Sequence, residues 1–237
     1  MENNTPDYTY QNVVQLNDAD ASRKFLANVF LWMFVALGIS AFFAFFFASN
    51  PALYASIRGT GLGTIVMLAP LAFVLIISFG FNRLSYGVLA ILFIAYAVVM
   101  GISLSFILLA FTASSVLGVF ITSSLLFGVM AIAGYTTHQD LTKFGSIMIM
   151  LLFGIIIASL VNFFLHSSGL DMIISYVGVA VFVGLTAYDV QKLKRIGAGI
   201  EYGDASANKM ALMGGLTLYL DFVNLFLMLL RIFGRRR

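Results

Sequence analysis

Apolar residues fall in seven long runs, at approximately 25–48, 62–81, 87–110, 115–135, 145–165, 172–191 and 210–233, with most charged residues in the joints between them and in the tails. A helix rises about 1.5 Å per residue and a bilayer core is about 30 Å thick, so about 20 apolar residues make one crossing. The runs are apolar all round, with Gly, Ala and Ser mixed in, and lack the alternation of a barrel strand. The pattern predicts an all-α polytopic membrane protein with seven transmembrane helices, the last buried centrally. Residues 1–24 read as a polar tail and 25–237 as a seven-helix membrane domain. Connections are short except for the polar, glycine-bearing stretch from Lys192 to Lys209. The small-residue pairs Gly154/Ala158 and Ala180/Gly184 predict close helix approach, and Pro70 predicts a kink in the second span.

Composition agrees with this pattern. Hydrophobic residues make up 61% of the chain and charged residues 10%, against about 25% charged in a soluble domain. The absence of cysteine excludes disulfides, thiolate metal sites and cysteine nucleophiles. The net charge is +3. Its basic residues sit in short loops and in the terminal Arg235, Arg236 and Arg237, so they read as orientation and anionic-lipid signals, and nucleic acid is not an expected partner. Arg23, Lys24, Arg83, Lys143, Lys192, Lys194, Arg195 and Lys209 fall on the N-terminal side, with only Arg58 in the opposite loops. The N-terminus is therefore expected in the cytoplasm. The terminal arginines break the rule: seven full crossings put them outside, whereas a re-entrant last segment returns them to the cytoplasm. The run from Phe25 to Ala48 is too long for a signal-peptide core and is expected to be retained.

Two carboxylates lie inside these runs: Asp189 in VAVFVGLTAYD and Asp221 in GGLTLYLDFVNLFLMLL. A charge inside a span costs several kcal/mol on insertion scales and marks function by default. Gly214, Thr217, Asp221, Asn224, Met228 and Arg231 recur at three- and four-residue spacing and share one helical face. Asn224 reads first as an interhelical hydrogen bond. Asp189 follows Tyr188 at the cytoplasmic border, where snorkelling to water competes with a buried role. Counting about 1.5 Å per residue, Asp221 lies about 15 Å below its entry point and Asp189 about 5–10 Å below its own. Tilt or a longer sixth helix would close the gap. Carboxyl groups that meet in a low-dielectric site share one proton, and the titration then belongs to the pair. Arg83, at the end of the second span, is the candidate cation to compete with that proton; a plain border anchor is the alternative. His138 and His166 fall at opposite membrane sides and cannot share a metal. His166, with Ser159 and Asn162, reads as an interior polar seam, and Asp140 reads as a cap on the fifth span, with recruitment of cations as the alternative.

The stretches GYTTHQDLTKFGSIM, TAYDVQKLK and LYLDFVNLFLMLLRIFG together resemble the Bax inhibitor family of membrane proteins, in its bacterial branch. The resemblance implies six helices surrounding a central seventh, a location in the bacterial inner membrane, and a pH-sensitive calcium leak. It also implies a dyad of Asp189 and Asp221, with Arg83 as latch; Thr217, Asn224 and Tyr188 read from their positions as the polar residues supporting it. Calcium suits the site on chemical grounds as well, being a hard cation that prefers carboxylate oxygen. A leak needs weak, transient coordination by Asp189 and Asp221. Calcium is expected as the permeant ion, with no tightly bound cofactor.

Two other functions compete. Paired aspartates in consecutive spans also resemble presenilin-type intramembrane proteases. Here the second aspartate stands in Leu-Tyr-Leu-Asp, without the glycines of a GxGD context and with no later Pro-Ala-Leu, so the chain is not expected to be an enzyme. Some bacterial relatives are thought to modulate a membrane-bound quality-control protease, a partnership the tail from Met1 to Ser22 would serve.

Overall fold

The computed structural model describes residues 8–58, 61–199 and 205–236, which fold as eight α-helices. They are α1 (Tyr8–Ala48), α2 (Pro51–Arg58), α3 (Leu62–Gly80), α4 (Tyr86–Ala110), α5 (Ala113–Thr136), α6 (Thr142–Leu165), α7 (Ser168–Ala198) and α8 (Ala205–Phe233). In hydrocarbon no water satisfies the backbone, so each crossing closes its own hydrogen bonds as a helix. Six helices are long and apolar enough to cross a membrane: α1, α4, α5, α6, α7 and α8. The expected second span is α3, whose apolar stretch Ile65–Gly80 is shorter. It continues through Pro70 as one helix. The short α2 was not foreseen.

Helix lengths differ from the expected spans where it matters most. α7 covers 31 residues, four more at its start and seven more at its end than the apolar run. Its start is fixed by Ser167, whose hydroxyl accepts the Leu170 N–H at 3.3 Å. The turn before it is tight: His166 adopts φ 50° and donates its N–H to Asn162 O at 2.8 Å. Asn162 Oδ1 then accepts the Ser167 N–H at 3.0 Å. Asn162 and the exposed His166 are therefore parts of a helix end, and the interior polar seam expected for them is not present. α8 is one uninterrupted helix of 29 residues, so the re-entrant alternative for the last segment falls away. Its end lies at the face opposite the start of the α1 span: Arg231 pairs with Asp171 at 3.1 Å, while Ser22 bonds Lys194 O at 2.8 Å at the other face.

α8 is the most buried span and packs against α1, α4, α5 and α7. α3 packs on α4, and α6 packs on α7. Of the six helices expected around α8, four pack on it in this way. Small residues set the close approaches. Gly101 of α4 faces Ser40 O of α1 at 2.6 Å from where a Cβ would stand, and Gly215 of α8 likewise faces Trp32 at 2.6 Å. Gly134 of α5 lies directly on the backbone of Ala187 in α7. Gly184 receives the Met148 and Phe144 side chains where a backbone was expected, and its partner Ala180 is exposed, while Gly154 has open space and faces outward. On α6 only Gly145 and Ile155 are buried, so the Gly154/Ala158 pair is not a packing motif.

Candidate functional site

The geometry of the two aspartates follows from the register of α7 against α8. Leu193 packs on Gly214, its Cδ2 2.6 Å from where a Cβ would stand, and Met228 packs on Gly178. That register puts Thr217 and Leu218 level with Asp189 and leaves Asp221 one turn further on. Helical side chains tilt toward their own N-terminus. In an antiparallel pair the two side chains therefore lean toward each other, and the carboxyl groups of Asp189 and Asp221 meet within hydrogen-bonding reach. Asp221 is 4% exposed and Asp189 half-buried. Asp221 Oδ2 is buried without a conventional hydrogen-bond donor, and Asp189 is the ionisable group beside its carboxyl. Two carboxylates have no hydrogen to donate, so contact between them requires one shared proton.

The neighbouring polar groups divide their work. Thr217 donates its hydroxyl to Met213 O at 3.0 Å, and Asn224 its amide to Leu220 O at 2.8 Å. Both flank Asp221 on one face, but these bonds run within α8 where an interhelical bond was expected for Asn224. Tyr188 turns its ring onto Gly145 of α6, with Lys192 Nζ 5.9 Å from the ring centroid. The cation whose charge acts on Asp189 is Lys192, one turn along α7. Arg83 lies exposed in the turn between α3 and α4 and joins none of the salt bridges among the described residues.

A second polar cluster closes the bundle above the pair. Gln191, 5% exposed, donates its amide to Gln139 O at 2.7 Å and accepts the Leu141 N–H at 2.9 Å. Arg195 reaches Gln191 Oε1 at 3.0 Å and Asp140 Oδ1 at 2.9 Å. Lys194 donates to Tyr135 O at 2.8 Å and lies over the Tyr135 ring at 4.7 Å. These bonds explain why GYTTHQDLTKFG and TAYDVQKLK belong together: the second stretch holds the loop made by the first. Asp140 stands one residue before the N-cap Leu141 of α6 and accepts the Thr142 N–H at 3.0 Å. The Thr142 hydroxyl and N–H, followed by Arg195, hold the Asp140 carboxyl down at about 2. Sequence reasoning missed Gln191, Lys194 and Arg195 as loop anchors; three polar side chains continuing the helical pattern past an apolar run were the available signal.

A third group lies on the other side of α8. Ser40 has one proton, which goes to Ala97 O at 2.7 Å, so Tyr219 donates its hydroxyl to Ser40 Oγ at 2.7 Å. Tyr96 stacks edge-on to Tyr219 at 5.5 Å, its buried hydroxyl having no hydrogen-bond partner.

A helical bundle with six long apolar spans and a carboxyl pair between two of them defines an integral multi-pass membrane protein. The family described as Inhibitor of apoptosis-promoting Bax1 matches over residues 22–237, and the chain belongs to that Bax inhibitor family. It is 46% identical over 215 residues to the inner membrane protein YbhL of Escherichia coli K12, covering 90% of this chain and 92% of the relative. An uncharacterised protein of Rickettsia prowazekii is 42% identical, with 91% of each chain covered. One from Deinococcus radiodurans is 37% identical, with 94% of this chain and 96% of the relative covered.

Proposed function

We propose that this protein is a pH-sensitive calcium leak of the bacterial inner membrane, with its N-terminus in the cytoplasm, α3 as a seventh span and α8 as the central helix. The observation that carries this reading is the meeting of Asp189 and Asp221 between α7 and α8. A pair holding one proton carries about one negative charge, and losing that proton doubles the charge offered to a cation. Proton occupancy and cation occupancy then compete for the same oxygens. Among the described residues no three His, Cys, Asp or Glu side chains gather into a metal site. Two carboxylates alone give the weak, transient coordination that passage requires. Arg83 acts as latch in this reading by swinging from its exposed position toward the pair, and Lys192 supplies a standing charge beside Asp189.

The test is calcium flux into liposomes holding the purified protein, stepped between about pH 6 and 8. The native chain changes its flux across that range, and Asp189→Asn and Asp221→Asn each lose the change. Identical pH dependence in native and both variant proteins would overturn the reading.

A further inference from the structure

We propose that the wedge between α1 and α5 seats an anionic phospholipid, with one acyl chain against the back of α8 and the headgroup on Arg235 and Arg236. Three observations lead there. The first is a gap in the packing. α5 packs on α7 and α8, whereas α1 packs on α4, α7 and α8, so α5 stands away from α1. The space between them is a cavity of about 560 Å³ with Phe222, Val223 and Phe226 of α8 as its floor. That volume is typical of a small-ligand site. Along α1 the cavity runs from Leu37 to Ser49, about 18 Å at 1.5 Å per residue.

The second is the chemistry of its walls. Apart from Ser40 and Ser49 the lining is carbon. Ser40, near the inner end, already gives its proton to Ala97 O and accepts one from Tyr219. Water finds too few partners in such a space, and apolar cavities of this kind take apolar guests. The cavity is continuous with the surface that faces lipid, because Phe45 and Leu117 on its rim are 71% and 61% exposed. The guest at hand in that medium is an acyl chain.

The third is charge. The C-terminal segment docks at the junction of α4 and α5: Thr112 N–H donates to Arg235 O at 2.9 Å, and Phe111 forms an antiparallel bridge with Arg236. Arg235 N–H donates to Ser115 Oγ at 2.9 Å. Leu109 and Ala113, on either side of that junction, line the outer end of the cavity. Arg231 is engaged by Asp171, whereas the exposed Arg235 and Arg236 join none of the salt bridges among the described residues. They also lie at the bundle end opposite most of the basic residues, where orientation does not account for them. Docked over that junction, where Arg235 also lines a separate cavity with Ser114, Ser115 and Gly118, they meet a phosphate at headgroup depth.

The experiment uses the full chain, purified in detergent and stripped of lipid, then mixed with phosphatidylglycerol or phosphatidylcholine of identical acyl chains. Native mass spectrometry should find one phosphatidylglycerol retained per chain, in preference to phosphatidylcholine. Replacing Arg235 and Arg236 together by glutamine should lower that retention at least about fivefold and leave phosphatidylcholine unchanged. Ala41→Phe, which fills the cavity, should lower retention of both lipids. A phosphatidylglycerol with a photoreactive acyl chain should label the native protein within 40–49, 107–120 or 222–226. Equal retention of the two lipids by the native chain, or labelling confined to α3 and α6, would sink the proposal whatever the variants do.

Discussion

Leu193 of α7 seats on Gly214 of α8, and this contact fixes where the two aspartates of the spans stand. A side chain at position 214 would crowd the Leu193 and Val29 side chains, about one turn from the level where Asp189 and Asp221 lean together. The same register is repeated a few turns on by Met228 against Gly178, so α7 and α8 stay in phase along the length that holds the pair. The pair is thus a product of helix register, set by residues that carry no charge.

If that register makes the two carboxyls one titrating unit, neither can be replaced without removing the unit. Asp189→Asn and Asp221→Asn should give calcium fluxes that no longer change between about pH 6 and 8, each to the same degree as the double variant. Flux in proteoliposomes reads this directly, and independent, additive effects of the two substitutions would refute a shared proton.

Close backbone approach predicts a contrast between two glycines. Gly134→Ala drives a methyl into the backbone of Ala187 and should cost about 1–3 kcal/mol, whereas Gly154→Ala, which meets open space, should stay within about 0.5 kcal/mol of the native protein. Unfolding of the two variants by denaturant in detergent micelles separates them.

Gln191 ties the loop between α5 and α6 to α7 through Gln139 and Leu141. Gln191→Leu leaves those backbone groups, on the exposed Gln139 and the half-buried Leu141, without their partner, and should cost about 0.5–1.5 kcal/mol. Amide exchange should rise at residues 137–142 while α8 stays protected; unchanged exchange there would show that the loop is held by other means.

Asp140 gives a pH signature outside the bilayer. Its carboxyl titrates at about 2 in the folded chain, against about 3.9 when unfolded. The depressed value means its stabilising contribution is present above about pH 4 and is lost as pH falls through about 2. The difference in melting temperature between the native chain and Asp140→Asn should therefore hold steady from neutral pH down to about 4 and shrink below it.

The N-terminal tail separates leak from partner binding. α1 is helical from Tyr8, and its first described long-range side-chain bond is Ser22 to Lys194. Deleting residues 2–18 keeps that bond, so the leak should persist at native rates; a matching loss of flux would favour a role through the tail.

The sequence by itself determined that this chain lives in lipid, roughly where each long span lies, and that Asp189 and Asp221 are its anomalous charges. Hydropathy carries that information because each crossing must be apolar along its whole length. It placed Asp140 at the start of the fifth long span, where its carboxylate takes the Thr142 N–H one residue ahead of the cap position, a local matter of a few residues. It could not tell which apolar face meets protein and which meets lipid, because acyl chains are as apolar as leucine. That is why Gly154 looked like a packing residue and turned out to face outward, and why α6 carries so little of the core. Only the tertiary structure decided that α7 continues past its apolar run to Ala198, that Leu193 rests on Gly214, and that Lys192 is the charge beside Asp189. Contacts between residues far apart in the chain depend on register and tilt, and neither is written in the periodicity of any single span.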